Sequence, residues 1–238
     1  DTLYNVYVTG LERTTNYDYL TIKYDSNGVM QWDRIYDGSG HANDLAYKIG
    51  VMPCGSVYIT GESAGPINLD VATIKYDAQG VEKWVRRYDG PVNGEDFGQT
   101  LSIDKNGNVY VAGPSDCGVT AYDFVTIKYD SLGDTCWIRK YNGPGNGDDW
   151  PFGIDVDLQG NVYVGGFGTI SENYVLVKYD SSGTQEWVAM YDKPGWIQAV
   201  CCDQLCNILV TGFAHTIGIS ADYVTIKYPS TGPGIEEN

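Results

Sequence analysis

The sequence predicts an all-β fold built from five repeated four-stranded units. Three observations carry this. Short alternating segments rich in Val, Ile, Thr and Tyr are separated by Gly, Asn, Asp and Pro, and no window keeps helical apolar spacing for three turns. One phrase, Asn-Val-Tyr-Val-Thr-Gly with small variations, starts at Asn5, Ser56, Asn108, Asn161 and Asn207, at separations of 51, 52, 53 and 46 residues. A second, Thr-Ile-Lys-Tyr-Asp or close to it, starts at Thr21, Thr73, Thr126, Leu176 and Thr225. Such a period is the mark of a repeat architecture.

Each unit reads as four short strands. The first precedes the Asn-Val-Tyr phrase, as at residues 97–104, and that phrase is the second. Thr-Ile-Lys-Tyr is the third. The fourth begins at a Trp followed four residues later by Tyr: Trp32 and Tyr36, Trp84 and Tyr88, Trp137 and Tyr141, Trp187 and Tyr191. Asp-x-x-Gly turns join the strands in pairs, at 104–107 and 157–160 for the first hairpin and at 25–28, 77–80, 130–133 and 180–183 for the second. Asp opens such a turn by accepting backbone N–H bonds, and Gly closes it where φ is positive. A calcium reading of Asp-x-Asn-Gly lacks the remaining ligands downstream.

A four-stranded unit of about 40–50 residues, repeated, predicts a β-propeller. One small sheet cannot bury both faces alone, and stacking around an axis buries them. The third strand is accordingly apolar on both sides, with Leu20, Ile22 and Tyr24 on one and Tyr19 and Thr21 on the other. A parallel β-helix would need shorter rungs and fewer hairpins. The expected domain is a single propeller over 1–232, with copies at about 1–40, 41–91, 92–144, 145–194 and 195–232 and a tail at 233–238. The first copy lacks its inner strand and the last its outer strand, so the terminal blades are incomplete and leave open edges. A longer array, a ring closed by thinned blades, or strand exchange between copies would each accommodate them.

The phrases resemble the SBBP repeat of bacterial and archaeal β-propellers, whose units carry Gly-Asn-Val-Tyr-Val-Thr-Gly, then Lys-Tyr-Asp-x-x-Gly, then Trp. The matching residues are 107–113, 128–133 and Trp137, with counterparts in other copies. The last copy departs, with Pro229 at the turn Asp and no following Trp. The resemblance implies a propeller of secreted or cell-surface proteins and transfers fold rather than chemistry. The tail at 231–238 resembles the linker before the sorting domain of type IX-secreted bacterial proteins. The lack of an initiator Met before Asp1 is expected of a processed or excised chain.

Composition narrows the partners. Of 238 residues, 31 are acidic and 15 basic, a net charge of −16 that repels nucleic acid and anionic lipid. No eighteen-residue apolar run is present, so membrane insertion is not expected. Lys23, Lys75, Lys128, Lys178 and Lys227 hold one place in all five copies, and Arg34, Arg86 and Arg139 share another. With Trp32, Trp84, Trp137 and Trp187 they are expected to form a blade-to-blade lattice. Asp44, Asp96 and Asp149 also recur and are expected to hold loop backbone rather than metal.

The longer loops, at 11–17, 62–69, 114–122, 167–172 and 213–221 and between blades at 37–43, 89–95, 142–148 and 192–196, all fall on one face. Variable loops on a rigid scaffold are where binding usually resides. Trp150 and Trp196 stand outside the repeat phrases on this face, and exposed Trp beside acids commonly stacks a sugar ring; the alternative is a hydrophobic lid on the central mouth. Asp148 and Asp149 make the most acidic loop, and His41 completes the candidate ligand residues, brought beside His215 if the ring closes. Cys202 and Cys206 flank a turn and are candidates for a disulfide; no Cys-x-x-Cys pair suggests zinc. No acid–base pair, triad or phosphate loop is discernible. The expected function is a non-catalytic extracellular scaffold or binding module without cofactor. Its partners would be a glycan, a surface protein or further copies in a filament. The alternatives are a lectin-like propeller or a polysaccharide-active enzyme.

Overall fold

The computed structural model describes residues 1–13, 15–168, 173–215 and 221–232. Every pairing is antiparallel, and no helix is long and apolar enough to cross a membrane. The first sheet has three strands, β1 (Val6–Arg13), β2 (Tyr17–Tyr24) and β3 (Met30–Tyr36). The second has four, β4 (Asp44–Val51), β5 (Val57–Ala64), β6 (Leu69–Tyr76) and β7 (Glu82–Tyr88). The third is β8 (Thr100–Ile103), β9 (Val109–Asp116), β10 (Tyr122–Tyr129) and β11 (Thr135–Tyr141). The last is six-stranded, from β12 (Trp150–Val156), β13 (Val162–Gly168) and β14 (Asn173–Tyr179) through β15 (Gln185–Cys202) to β16 (Ile208–His215) and β17 (Ala221–Tyr228).

The six-stranded sheet is two blades sharing one strand. Residues 185–194 of β15 pair with β14 as the outer strand of the fourth blade, and 195–202 pair with β16 as the inner strand of the fifth. The predicted loop at 192–196 is therefore strand. The reason lies in the spacing: the last copy begins 46 residues after its predecessor, against 51 to 53 elsewhere, so no residues remain for a loop. The loops predicted at 11–17, 62–69 and 114–122 are also shorter than expected, because β1, β5 and β9 and their partners run on past the repeat phrases. Those at 167–172 and 213–221 lie mostly outside the described residues, as does the tail at 233–238.

The hairpins form as their chemistry dictates. Asp104 Oδ1 accepts the N–H groups of Asn106 and Asn108 at 2.8 and 3.0 Å, and Gly107 follows at φ 80°. Asp25, Asp77, Asp130 and Asp180 repeat this geometry in the second hairpin. Cys206 takes the positive-φ place, at 62°, in the last blade's first hairpin, and its thiol donates to Gln159 Oε1 at 2.9 Å. Cys202 packs instead into the core between the last two blades. Both are free thiols, which corrects the expected disulfide.

Four cores fill the spaces between successive blades. Val57 and Ile59 of the second blade face Tyr7, Tyr19 and Trp32 of the first. Tyr58 and Trp84 on its other side meet Val109, Val111, Ile127 and Tyr129 of the third. Each fully buried side chain of this size contributes about 1.5–3 kcal/mol. Trp84 Nε1 and Lys75 Nζ both donate to Ser131 O, at 3.4 and 2.7 Å, and Arg86 Nε donates to Gly133 O at 2.6 Å. Lys23, Trp32 and Arg34 hold the turn at 77–80 in the same way, and Lys128, Trp137 and Arg139 hold that at 180–183. Lys178 reaches Ser230 O at 3.1 Å, whereas Lys227 of the last blade is half-exposed and faces Asp203 at 3.4 Å.

The array ends in two uncovered faces. β5, β9 and β13 are buried on both sides, whereas β1 alternates and leaves Val6 at 54% and Val8 at 49% exposure. The far side of the last blade exposes Thr211, Tyr223 and Thr225. Among the described residues no strand of the first blade pairs with one of the last.

Candidate ligand mouth at the long-loop end

Each inner strand begins at the long-loop end, and its first rung is where the repeats differ. In the second blade that rung pairs Leu45 with Glu62. In the third, Phe97 N–H donates to Pro114 O at 3.0 Å. In the fourth and fifth it pairs Trp150 with Phe167 and Trp196 with Phe213. The chain has five Phe residues, and Phe97, Phe152, Phe167 and Phe213 all gather here, leaving only Phe124 to the ordinary core.

The row of rings is part-buried and falls into two stacked sets. Phe97 stacks on Trp150 at 5.8 Å between centroids, with Tyr122 tilted against both. Trp196 stacks on Phe167 at 5.1 Å and on Phe152 at 5.9 Å, and Phe213 leans on it at 5.2 Å. His215 closes the row edge-on to Phe213. Offset and tilted packing of this kind suits ring quadrupoles and holds the row rigid.

Carboxylates flank it. Tyr47 O–H donates to Glu62 at 2.6 Å, and Tyr122 O–H donates to Glu95 at 3.1 Å. Burial raises the Glu62 carboxyl above its usual range, Tyr47 opposes this, and the Glu95 charge adds to it. The arrangement offers flat apolar faces for stacking beside acceptors that can take hydroxyl hydrogen bonds.

Of the residues singled out from sequence, Trp150 and Trp196 lie in this row. Asp149 is buried beneath it, accepting Gly143 N–H at 2.6 Å, and Asp148 is exposed beside the Tyr122 backbone at 3.4 Å. His41 lies elsewhere, at the junction of the first two blades, with Nδ1 2.8 Å from Asp37. Sequence reasoning missed the four Phe and the Tyr47–Glu62 pair; the signal was that these Phe fall outside every repeated phrase. Asp44 accepts the N–H groups of Gly38 and Ala64, and Asp96 that of Gly90. Two sets of three carboxylates meet at blade junctions, Asp18 with Asp37 and Asp44, and Asp70 with Asp89 and Asp96.

Residues 84–116 match the model of the SBBP family, a beta-propeller repeat. No curated protein matches the chain's sequence. Solved structures share the fold. A protein of unknown function from Bacteroides caccae aligns at 10% identity and a TM-score of 0.54, over 94% of this chain and 73% of that one. The beta-propeller domain of the Trilobed protease from Pyrococcus furiosus, which has an open velcro topology, aligns at 9% identity and a TM-score of 0.55, over 97% and 68%. A GH43 endo-arabinanase from Bacillus licheniformis aligns at 12% identity and a TM-score of 0.43, over 96% and 92%. The expectation that the chain is not an enzyme is corrected: the fold it shares also occurs as a domain of a protease, and a likeness at such identity neither assigns nor excludes a reaction.

Proposed function

We propose that the chain is an exported binding propeller that holds a glycan across the aromatic row at its long-loop end. The single observation behind this reading is the gathering of Phe97, Tyr122, Trp150, Phe152, Phe167, Trp196 and Phe213, part-buried, at the long-loop end of three successive blades. Ring faces take sugar C–H surfaces, and the exposed Glu95 accepts a hydroxyl hydrogen bond. Each alanine at a stacked position is expected to weaken binding by about 1–2 kcal/mol, roughly five- to thirty-fold. Affinity electrophoresis through neutral and acidic polysaccharides tests this with wild type, Trp150→Ala and Phe97→Ala. Retardation of wild type that both variants lose supports the reading. Free migration of wild type in every gel, or equal retardation of all three, sinks it.

A second reading is self-assembly, with the last blade of one copy seated on the first blade of the next. It is supported by the two uncovered faces. Val6, Val8, Met30 and Ile35 are about half-exposed on the first blade, and a shallow groove of about 310 Å³ beside Cys201, Leu209, Thr211 and Thr225 marks the last. These faces match the two sides of the interface that recurs inside the chain. Electron microscopy at high protein concentration is expected to show head-to-tail polymers that Val8→Lys disperses; isolated particles alone count against it.

A further inference from the structure

At the junction of the first and second blades one buried carboxylate, Asp18, has no basic side chain bonded to it among the described residues, although Arg87 bonds Tyr36 and Ser63 there and His41 bonds Asp37. Asp18 is 5% exposed, and its Oδ1 has no hydrogen-bond partner. Its carboxylate points into a group with Asp37 and Asp44, whose oxygen atoms lie within 4.8 Å of one another. Glu12 lies directly across the β1–β2 ladder from Asp18. A buried carboxylate among others is unfavourable unless a cation joins them or one takes up a proton.

The second blade shows one way the fold answers this charge. Two residues after the Asp of the third strand, the cross-strand neighbour is Arg87 in the second blade, opposite Ala72, and Lys140 in the third, opposite Val125. Arg87 Nη2 donates to Asp70 at 2.7 Å. In the fourth blade the acid is replaced by neutral Asn173, and the cross-strand residue is Met190. In the third blade Lys140 donates to Cys117 Sγ at 3.1 Å, and Asp123 accepts the Thr120 hydroxyl at 3.0 Å, so the direct acid–base bond is seen in the second blade. The first blade keeps Asp18 but sets Ile35 opposite Leu20, the place that Arg87 holds in the second blade. The nearby His41 is exposed and bound to Asp37 rather than Asp18.

We propose that the junction of the first and second blades binds a calcium-class divalent cation, held by Asp18, Asp37 and Asp44. The spacing fits, since two oxygens on one calcium ion at about 2.4 Å lie at most about 4.8 Å apart. The ligand chemistry fits as well, because an all-oxygen, all-carboxylate set favours a hard cation over zinc or copper. Asp44 is already aimed by the Gly38 and Ala64 N–H groups, at 2.7 and 2.9 Å, each oxygen keeping a further lone pair. Asp37 is partly exposed and gives the ion a way in. The ion would tie the end of β3 to the start of β4, whereas Arg87 ties β7 to Asp70 of β6 and Ser63 of β5.

The test uses the whole chain stripped with EDTA. Terbium luminescence, sensitised by nearby tyrosines and displaced by calcium, reads binding; thermal unfolding with and without calcium reads linkage. Wild type is expected to bind calcium with a dissociation constant of roughly 0.1–1 mM and to unfold several degrees higher in its presence. Asp18→Asn is expected to weaken binding at least tenfold. Ile35→Arg, which installs the second blade's own counter-charge, is expected to fold normally without calcium and lose the calcium response. Asp70→Asn is expected to keep it. No calcium response in wild type up to roughly tenfold above that range overturns the proposal. So does a response unchanged in both Asp18→Asn and Ile35→Arg, or one lost in Asp70→Asn and kept in Asp18→Asn.

Discussion

Replacing Gly133 by alanine, and Gly28 by alanine in a separate protein, isolates the blade-to-blade lattice from the turn that carries it. Both glycines close an Asp-x-x-Gly turn with positive φ, +89° and +78°. Both donate N–H to the turn Asp carbonyl, at 3.0 and 2.9 Å. They differ in what lies outside. A Cβ on Gly133 would fall 2.8 Å from Cγ and Cδ2 of Trp84, whereas one on Gly28, on the uncovered side of the first blade, would meet nothing within 4 Å. The left-handed conformation costs each variant about 1–2 kcal/mol, and the reduced freedom of the unfolded chain returns part of that equally to both. Only Gly133→Ala must also push a packed indole aside, at about 1–3 kcal/mol. Urea unfolding at low protein concentration is expected to place Gly133→Ala below Gly28→Ala by that margin, or about 2–12 °C in thermal midpoint. Equal losses in the two variants would refute the argument that Trp-on-turn packing holds the blades together.

Three further outcomes follow from the same contacts. Trp84→Ala empties a site lined by Tyr58 and Tyr129, whose centroids lie 5.9 and 6.0 Å away, and is expected to cost about 3–5 kcal/mol by denaturant titration. Asp96 is pushed up to about 6 by burial, against the opposing bonds from Ser115 and Gly90. The folded state therefore holds a proton between about pH 4 and 6 that the unfolded chain has lost, so this group's contribution to stability falls as pH rises through that window. Asp96→Asn is expected to flatten the stability curve there, read from urea midpoints at half-unit pH steps. Arg87→Met leaves Asp70 without its cation, so its cost at pH 7, about 2 kcal/mol, is expected to shrink at pH 4 as the carboxyl takes up a proton, read the same way.

The legible parts of this molecule are those written in local chemistry. The Asp-x-x-Gly turns, the alternating strands and the Lys and Trp of the lattice are each specified within a few residues, so their positions could be read directly. The aromatic row is different. Phe97, Trp150 and Trp196 begin three separate inner strands, and only the radial stacking of blades makes them neighbours. The acidic junction was half visible: Asp44 recurs in register with Asp96 and Asp149, but its companion Asp18 arrives from across a blade boundary. The missing basic residue at Ile35 has meaning only once strand pairing sets it beside the place of Arg87. The loop expected at 192–196 is strand in β15 because the shortened spacing before the last copy leaves no residues for a turn.

That unbroken strand has a mechanical consequence. The second and third blades are joined by the connection between β7 and β8, but the fourth hands its outermost strand directly to the fifth as an inner strand. Without a slack linker, tension on one is carried as shear along the ladder of the other. The two should therefore exchange amide hydrogens as one cooperative block, stiffer than any other pair of neighbours, giving the carboxyl-terminal third a single yield point.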